Sequence, residues 1–354
     1  MYRKTYLEVD LNHIYENYSM VQKLVQSKHV IPVVKANAYG HGVLEVVNKL
    51  YQKGVNFFAV SLLEEALEVR EQFPTVDILM MGVCNLDDFI VASKNNIQVT
   101  IGNITQVEEI IQHNQKISVH LKIDTGMNRL GFKYLDEAKD VFELLHKHDI
   151  IKVVGVYTHF ATADNNYQYY TKQKVNFEKF LSMIDHEGLM IHVSNSSSAI
   201  KYENDLPYTT HVRLGISMYG LTLDKETVFL KNTCKLITHV SDVKVVTKGE
   251  KIGYGATYEA SKEEMIGILP IGYADGFIRK NQGGYVEIQG QRCEIVGRIC
   301  MDQMFVKINE NIHIDDKVVL FGGLISIDEV AERLDTINYE IICQITSRVP
   351  RVCK

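Results

Sequence analysis

Two lysines stand where short apolar runs of the sequence meet polar segments. Lys35 ends the run VIPVVK, and Lys122 lies near the end of ISVHLKID. A lysine that is partly withdrawn from water has a lowered pKa and can form a Schiff base with an aldehyde. A lysine at a strand end is usually a solvated charge, so neither position indicates chemistry by itself.

Other residues suited to proton transfer and anion binding follow later apolar runs. A histidine in such a place is usually a structural hydrogen-bonding residue, an arginine is usually an ion-pair partner, and the segment SNSSS is usually a turn. Chemistry is favoured because the candidates recur at the ends of successive runs. They are Tyr39, Asp124, Arg129, His159, Asn195, Ser196, Arg213, Gly215 and Ile216.

The apolar runs alternate with helix-like stretches between about residues 30 and 217. In order they are HVIPVVK, VNFFAVS, VDILMMG, IQVTIG, ISVHLKID, IKVVGVYTH, LMIHVSN and HVRLGIS. Eight apolar strands that alternate with helices favour a (β/α)8 TIM-type barrel over an open doubly wound sheet. The carboxyl ends of the strands then share one rim, where barrel enzymes carry their active sites. Ser61 with Glu64, and Thr105 with Glu108, predict capping boxes at two helix starts.

The sequence changes character after about residue 230. Short alternating runs are separated there by turn residues such as GE, GG and GQ. This pattern predicts a mostly antiparallel β domain. We therefore expect a barrel domain over residues 1–229 and a mostly β domain over residues 230–354.

Three polar motifs interrupt the β-rich part. KIGYGATY sets Tyr254 between Gly253 and Gly255, which allows close approach of the backbone to a ligand, although a glycine-rich turn with an incidental tyrosine also fits. An aspartate among apolar neighbours is usually a structural hydrogen-bond acceptor, and we expect this of Asp302. The other two motifs, PIGYADG and GRICMDQM, carry Tyr273, Cys300, Met301 and Asp302.

Composition limits the classes of function. The 354 residues are 46% hydrophobic and 23% charged, with a formal net charge of −6 and no basic run, which disfavours a disordered chain and a nucleic-acid partner. No apolar run is long enough to span a membrane, and the start MYRKTYLEVD lacks an apolar export signal, so we expect a cytoplasmic protein without a membrane partner. The six cysteines lack the paired spacing of a zinc site, so no metal is expected.

A reactive amine and an anion cradle on one rim suggest a particular cofactor. The loops after the seventh and eighth strands of a barrel commonly bind phosphate, and here they offer Ser196 and the backbone amides around Gly215 and Ile216. Together with Lys35 they predict pyridoxal 5'-phosphate, joined to the lysine as a Schiff base. A barrel that binds another phosphorylated metabolite is the alternative.

Six motifs, taken together, resemble one family. VVKANAYGHG, KIDTGMNRLGF, HVRLGISMYG, GYGATY, GYADG and GRICMDQM occur in this order over nearly the whole chain. In this respect the chain is similar to alanine racemase, a bacterial pyridoxal-phosphate enzyme of the fold-type III group. The resemblance implies a C-terminal β domain that the first strand, about residues 5–10, also joins. It also implies a head-to-tail homodimer with shared active sites, a small amino-acid substrate, and supply of D-alanine for peptidoglycan.

The resemblance also implies roles for individual residues. Lys35 would be the cofactor lysine and the base for the D-enantiomer, and Tyr254 of the partner subunit would be the base for the L-enantiomer. Arg129 and the backbone of Met301 would bind the substrate carboxylate. Arg213 would face the pyridine nitrogen with His159 beside it, Lys122 would correspond to a lysine that is carbamylated in some members, and Tyr273 would line the entry corridor. The positions that match the phosphate site are Tyr39, Ser196, Gly215 and Ile216.

One position departs from well-known members and leaves substrate choice open. Ser347 stands where they carry a tyrosine, so the pocket is expected to be roomier and more polar, and serine or broad-specificity racemisation is an alternative. An amino-acid decarboxylase of the same fold group normally has an acid at the position of Arg213. A non-catalytic pyridoxal-phosphate carrier is a barrel alone, and the motifs around Tyr254 and Cys300 speak against it.

Overall fold

The computed structural model describes residues 3–25, 28–221 and 228–354, and the chain forms two compact units. The barrel unit comprises Ile14–Ala38 and Val43–Lys231. The β unit comprises Met1–His13, Tyr39–Gly42 and Asn232–Lys354. No helix within the described ranges is both long enough and apolar enough to cross a membrane.

Eight parallel strands form the centre of the barrel unit. They follow β1 (Tyr6–Val9), which belongs to the β unit. Strands β3 to β8 pair in sequence order as one six-stranded sheet, and β2 pairs with β9. The bounds are β2 (His29–Pro32), β3 (Phe57–Val60), β4 (Asp77–Met80), β5 (Gln98–Ile101), β6 (Ile117–Lys122), β7 (Ile151–Tyr157), β8 (Met190–His192) and β9 (His211–Leu214).

Hydrogen bonds beyond the regular pairing join these two sheets at both edges. Val33, just after β2, bridges to Ala59 of β3. On the other side, the Arg213 amide of β9 donates to the Ser194 carbonyl at 3.0 Å, just beyond β8. The eight predicted strands are therefore present in the predicted order, and the TIM-type barrel is confirmed.

Helices separate the strands, and two of their starts differ from the predictions. The capping boxes at Ser61 and Thr105 are wrong, because the helices begin at Leu63 and Ile104. The Asn103 side chain, one residue before the second helix, accepts from the Gln106 amide at 2.9 Å and makes the cap instead. The helices in or entering this unit are Leu11–Leu24, Val43–Tyr51, Leu63–Gln72, Leu86–Lys94, Ile104–His113, Leu135–His146, Tyr167–Leu181 and Ser196–Lys201, with single turns at Glu203–Asp205 and Ile216–Tyr219.

The β unit is built on one nine-stranded, mostly antiparallel sheet, as the sequence predicts. Its strand order is β11-β14-β17-β16-β15-β18-β10-β1-β19, so β1 lies between an antiparallel and a parallel neighbour. Two short strands pair separately, and two helices, Ile327–Leu334 and Asn338–Cys343, complete the unit. The remaining strands are β10 (Cys234–His239), β11 (Asp242–Val246), β12 (Lys251–Ile252), β13 (Tyr258–Glu259), β14 (Glu264–Leu269), β15 (Tyr285–Ile288), β16 (Gln291–Val296), β17 (Met304–Ile308), β18 (Lys317–Phe321) and β19 (Arg351–Cys353).

A glycine makes room for a polar ring inside the barrel. The pairing of β6 with β7 shifts register between Val119 and His120, and Gly155 lies opposite His120. A Cβ atom added at Gly155 would come within 2.4 Å of His120 Nδ1 and 2.8 Å of the Met190 carbonyl oxygen. Only a residue without a side chain leaves the His120 ring its place.

We predict that Gly155→Ala destabilises the protein by about 1–3 kcal/mol or more, because the new methyl group would overlap a ring and a carbonyl that are both fixed. Gly267→Ala in β14 is the matched control, since its Cβ would meet side-chain methyl groups alone, those of Ile308 at 3.2 Å and Val306 at 3.3 Å. Urea unfolding of both variants measures the difference. Equal stability of the two variants would contradict the steric argument.

Candidate active site

Lys35 precedes a turn of unusual handedness. It lies three residues after the end of β2, and its side chain is half-buried. Residues 36–39 all have φ between 51° and 54°, a left-handed conformation that costs L-residues roughly 1–2 kcal/mol each. The turn therefore needs support from its surroundings, and it fixes the direction in which the chain leaves the lysine.

Glu65 provides part of that support. One carboxylate oxygen accepts from the Ala36 amide at 2.6 Å, and the other accepts from the Ser61 amide at 2.8 Å and the Leu62 amide at 3.1 Å. The carboxylate thus ties the residue after Lys35 to the start of the helix Leu63–Gln72. Sequence reasoning selected Glu64 as the capping acid and missed this role of its neighbour.

Arg129 lies on a tight loop that returns to the end of β6. The loop is closed by Phe132 N–H donating to the Lys122 carbonyl and Asp124 N–H donating to the Phe132 carbonyl, both at 2.9 Å. Inside the loop, the Asp124 carboxylate accepts from the amides of Gly126 and Asn128, each at 3.0 Å. Asp124 therefore shapes the loop, and the Arg129 side chain is exposed upon it.

Arg213 is buried on β9 and donates only to neutral groups. Its Nη2 atom donates to the Thr158 carbonyl at 2.8 Å and lies 3.3 Å from both His159 Nδ1 and the Val193 carbonyl. Its Nη1 atom donates to His192, at Nδ1 and at the carbonyl. Burial lowers the pKa of the guanidinium to about 10, which leaves it charged at neutral pH. No carboxylate within the described residues forms an ion pair with it.

Four cationic side chains converge on His159, which is half-buried at the end of β7. Burial holds the pKa of its imidazole well below the usual 6.5, and the positive charges lower it further. His159 is therefore neutral, and the region around it is strongly electropositive. The contributing cations are Arg213, Lys122, Arg129 and Lys35.

Lys122 is a buried amine without a hydrogen-bond partner among the described residues. Its Nζ atom lies 4.7 Å from the centre of the Tyr157 ring. Burial, followed by repulsion from Arg213 and Arg129, holds its pKa well below 10.5, while Asp124 alone opposes the shift. Burial and the neighbouring positive charges therefore favour the uncharged, nucleophilic form of this amine.

Ser196 has the geometry of a donor to an anion. Its Oγ atom accepts from the Gly215 amide at 3.1 Å and the Ser217 amide at 3.4 Å, so its own hydrogen is left to point elsewhere. Ile216 is buried between these amides, and the nearby Ser217 hydroxyl is buried without a partner among the described residues. A phosphate group would satisfy such donors, and the residues present fit pyridoxal phosphate.

The β unit holds a second set of candidates. Tyr254 is 70% exposed and lies between Gly253 and Gly255, both with φ of 72°. A Cβ atom at Gly255 would come within 2.7 Å of Nη1 of Arg298, so the turn requires glycine there. The phenol therefore projects into solvent from a tightly constrained turn. Tyr39, also in this unit, is buried with its ring 6.4 Å from that of Tyr339.

Two of the polar motifs of the β unit, PIGYADG and GRICMDQM, lie together with the segment around Ser347. The amides of Tyr273 and Ala274 donate to the carbonyls of Cys300 and Met301, each at 3.1 Å. Met301 is half exposed, while Asp302 accepts from Arg348 at 2.6 Å, next to the exposed Ser347. Asp302 thus has the structural partner expected of it.

Sequence reasoning missed two buried histidines, His120 and His192, which lie inside the barrel. A signal was available, because His120 stands two residues before Lys122 in β6, and strand residues two apart point to the same face. His192 likewise stands two residues before Ser194. Histidines flanked by apolar residues in two separate strands indicate a buried polar network.

Two family models match the two parts of the chain. The family model "Alanine racemase, N-terminal domain" matches residues 9–223, and "Alanine racemase, C-terminal domain" matches residues 233–353. The chain belongs to the alanine racemase family.

Individual relatives agree over the full length. Alanine racemase from Staphylococcus epidermidis is 37% identical, with 99% of this chain and 95% of the relative covered. Alanine racemase 1 from Bacillus subtilis is 39% identical, with 99% and 93% covered. The crystal structure of alanine racemase from E. faecalis superposes with a TM-score of 0.94 at 36% identity, covering 100% and 99% of the two chains. The resemblance of the motifs is confirmed, and the chain is a pyridoxal-phosphate-dependent enzyme whose family racemises alanine.

The buried histidines predict a loss of stability in acid. Burial lowers the pKa of His120 to about 3, so below pH 6.5 the unfolded chain binds a proton that the folded chain refuses. The free energy of unfolding should fall by about 1.4 kcal/mol per pH unit for each such histidine below pH 6. His192 and His159 act in the same direction, since their pKa values are also lowered by burial.

Urea unfolding between pH 7.5 and 5 measures this dependence. His120→Phe should reduce the pH dependence of the unfolding free energy by the contribution of about one proton. The variant should also be less stable than the parent at pH 7. His313→Gln, at an exposed position, is the control and should keep the slope of the parent. An unchanged slope in His120→Phe would show that this imidazole takes up its proton in the folded protein.

Proposed function

We propose that this chain interconverts L- and D-alanine by a two-base mechanism, with pyridoxal phosphate joined to Lys35. The observation that carries this proposal is the buried Arg213, whose hydrogen-bond partners are all neutral. An arginine cannot give up its proton readily, so Arg213 would leave a pyridine nitrogen that faces it unprotonated. A decarboxylase of this fold group would hold an acid there, and Arg213 therefore favours the racemase.

The cofactor site is assigned to residues of the barrel unit and to Tyr39. Pyridoxal phosphate, when bound, delocalises the electron pair that loss of the α proton leaves behind. Ser196 would donate its hydroxyl hydrogen to the phosphate while its Oγ atom accepts from the Gly215 amide, and the Ile216 amide would be a further donor to the phosphate. His159, kept neutral by burial and surrounding cations, would pack beside Arg213 without adding charge.

We assign four residues to binding the substrate and moving its α proton. Arg129 and the Met301 backbone would bind the substrate carboxylate, which orients the α hydrogen. The Lys35 amine would take the proton from D-alanine and return one on that same face. Tyr254 of the partner subunit would act on the opposite face, and inversion follows when one of the two residues removes the α proton and the other delivers a proton to the opposite face.

A homodimer explains the position of Tyr254. Its ring is 70% exposed on a rigid turn, which suits a group that acts in another subunit. We propose head-to-tail pairing, in which each active site combines one barrel with the partner's β unit. Tyr273 would then line the substrate entrance, with the Cys300 carbonyl supporting its amide and Asp302 holding Arg348 nearby.

Lys122 is proposed to be carbamylated. Its uncharged amine would attack CO2, forming an N–C bond and releasing one proton, and the product is an anionic carbamate. The new charge would lie near Arg213 and Arg129, where the amine has no hydrogen-bond partner among the described residues. The carbamate would orient Arg129 towards the substrate.

The proposed substrate and cellular role rest on the family, and one residue of the sequence adds a second candidate substrate. Ser347 is exposed and small, so L-serine is the second candidate substrate. As in the bacterial relatives, we propose a cytoplasmic enzyme that supplies D-alanine for peptidoglycan.

Racemisation and isotope exchange together test the two bases. We predict that the purified protein converts L-alanine to the racemate, measured by chiral chromatography, with L-serine as the comparison substrate. Tyr254→Phe should lower racemisation by about 10²–10⁴-fold, since one face loses its base.

In D2O, the same variant should still exchange the α hydrogen of D-alanine with retention, because Lys35 remains, while exchange from L-alanine is lost. Tyr285→Phe, a partly exposed tyrosine on β15, is the control. Equal loss of exchange from both enantiomers would contradict the assignment of faces.

Carbon-13 NMR tests the carbamate without turnover. Protein equilibrated with ¹³C-labelled bicarbonate should show one carbamate carbonyl resonance that is absent from Lys122→Met. Lys179→Met removes an exposed lysine and should retain the resonance. A spectrum without that resonance in the parent protein would overturn the modification.

A further inference from the structure

A line of hydrogen bonds runs from Arg213 through the interior of the barrel. The Nη1 atom of Arg213 lies 2.8 Å from His192 Nδ1, and His192 Nε2 lies 2.8 Å from His120 Nδ1. His120 Nε2 lies 2.8 Å from Gln98 Oε1, and the Gln98 amide nitrogen lies 3.2 Å from the Asp77 carboxylate. Four contacts thus connect a buried cation with an exposed anion.

The two ends fix the direction of every proton in this line. Arg213 can only donate, so His192 Nδ1 accepts, and a neutral imidazole then carries its hydrogen on Nε2. That hydrogen is donated to His120 Nδ1, which places the hydrogen of His120 on Nε2, facing Gln98. An aspartate can only accept, so the Gln98 amide must donate to Asp77. The amide orientation and both tautomers follow from these two constraints.

The surrounding groups keep both histidines neutral and in place. A proton added to His192 Nδ1 would face the Arg213 guanidinium, and burial together with Arg213 already holds its pKa well below the ordinary value. The His192 ring stacks on Tyr157 with centroids 4.5 Å apart, and the Tyr157 hydroxyl pairs with Thr100 at 2.8 Å. The space for the His120 ring depends on Gly155.

The far end of the line reaches water. Asp77 and Gln98 are the first residues of β4 and β5, so they lie at the end of the barrel opposite the catalytic rim. They line a cavity of about 430 Å³ together with His29 and His211. Asp77 is exposed, so its side chain is open to water.

We propose that His192, His120 and Gln98 are positioning residues that tie Arg213 to Asp77, its remote counter-charge at the other end of the barrel. The chain of single-direction donors holds the guanidinium in one orientation without bringing an acid beside the cofactor ring. The inference rests on the proposed function of Arg213 as the partner of the ring nitrogen.

Nitrogen-15 solid-state NMR of the cofactor-loaded protein, labelled in histidine, tests the proton order directly. We expect His192 and His120 each to carry hydrogen on Nε2 and none on Nδ1, unchanged between pH 6 and 9. His120→Phe assigns the two sets of resonances. A cationic ring or an Nδ1–H tautomer at either residue would overturn the proposal. This result needs no turnover, so a protein that failed to racemise alanine would refute the proposed function and leave it intact.

Variants of Gln98 and Asp77, at the solvent-exposed end of the line, test whether this end influences Arg213. Gln98→Met should release both tautomers, shift the absorbance of the bound cofactor, and lower kcat by about three- to tenfold with KM for alanine changed less than twofold. Asp77→Asn keeps an acceptor but removes the charge, and we expect the same absorbance shift at smaller amplitude. Asn56→Ala, on the same cavity but outside the line, is the control.

Two outcomes would contradict the coupling. If Gln98→Met retains the parent tautomers and absorbance, packing alone positions Arg213. If Asp77→Asn matches Asn56→Ala in every measurement, Asp77 is not the counter-charge.

Discussion

A concentration of basic side chains at one rim of the barrel is the constraint on which the site depends. Lys35, Lys122, Arg129 and Arg213 all act on His159, while the nearby Asp124 is engaged by two backbone amides. Arg213 is buried with neutral hydrogen-bond partners among the described residues, and a buried charge of this kind is tolerated where a bound anion completes the site. A phosphate, a carboxylate and a carbamate each supply such an anion. The fold therefore provides an excess of positive charge, which the anionic groups of the cofactor, the substrate and the modification would neutralise together.

The barrel interior resolves a conflict between burying an arginine and keeping acids away from it. Carbonyls at the ends of β7 and β8 take part of its hydrogen bonding, and His192 takes another part. Neutral histidines can relay polarity across a core that would not tolerate a second charge. Gly155, the register shift beside it and the Tyr157–Thr100 pair are then parts of one arrangement, and substitution at any of them should affect the others.

Much of the fold could be predicted from the sequence, because runs of β-branched residues and turn residues carry strong local signals. All eight barrel strands and the change to a β-rich part near residue 230 were accessible in this way. Helix starts were less accessible, since Asn103 competes with Thr105 and Glu65 with Glu64 for the same amides. The left-handed turn at residues 36–39 depends on contacts with Glu65, and no local pattern specifies it. His120 and His192 required strand parity to be compared across two segments 72 residues apart.

The place of β1 in the nine-stranded sheet has a consequence for biosynthesis. Its antiparallel neighbour begins at Cys234 and its parallel neighbour at Arg351, so β1 is made well before both of the segments that flank it. At about 5–20 residues per second, β1 waits roughly 20 to 70 s for its last partner. During that interval the apolar side chains of Leu7 and Val9, fully enclosed in the finished protein, remain uncovered. Pairing of β1 with β19 is therefore a late step of folding, and the nascent chain needs protection from aggregation until β19 has been made.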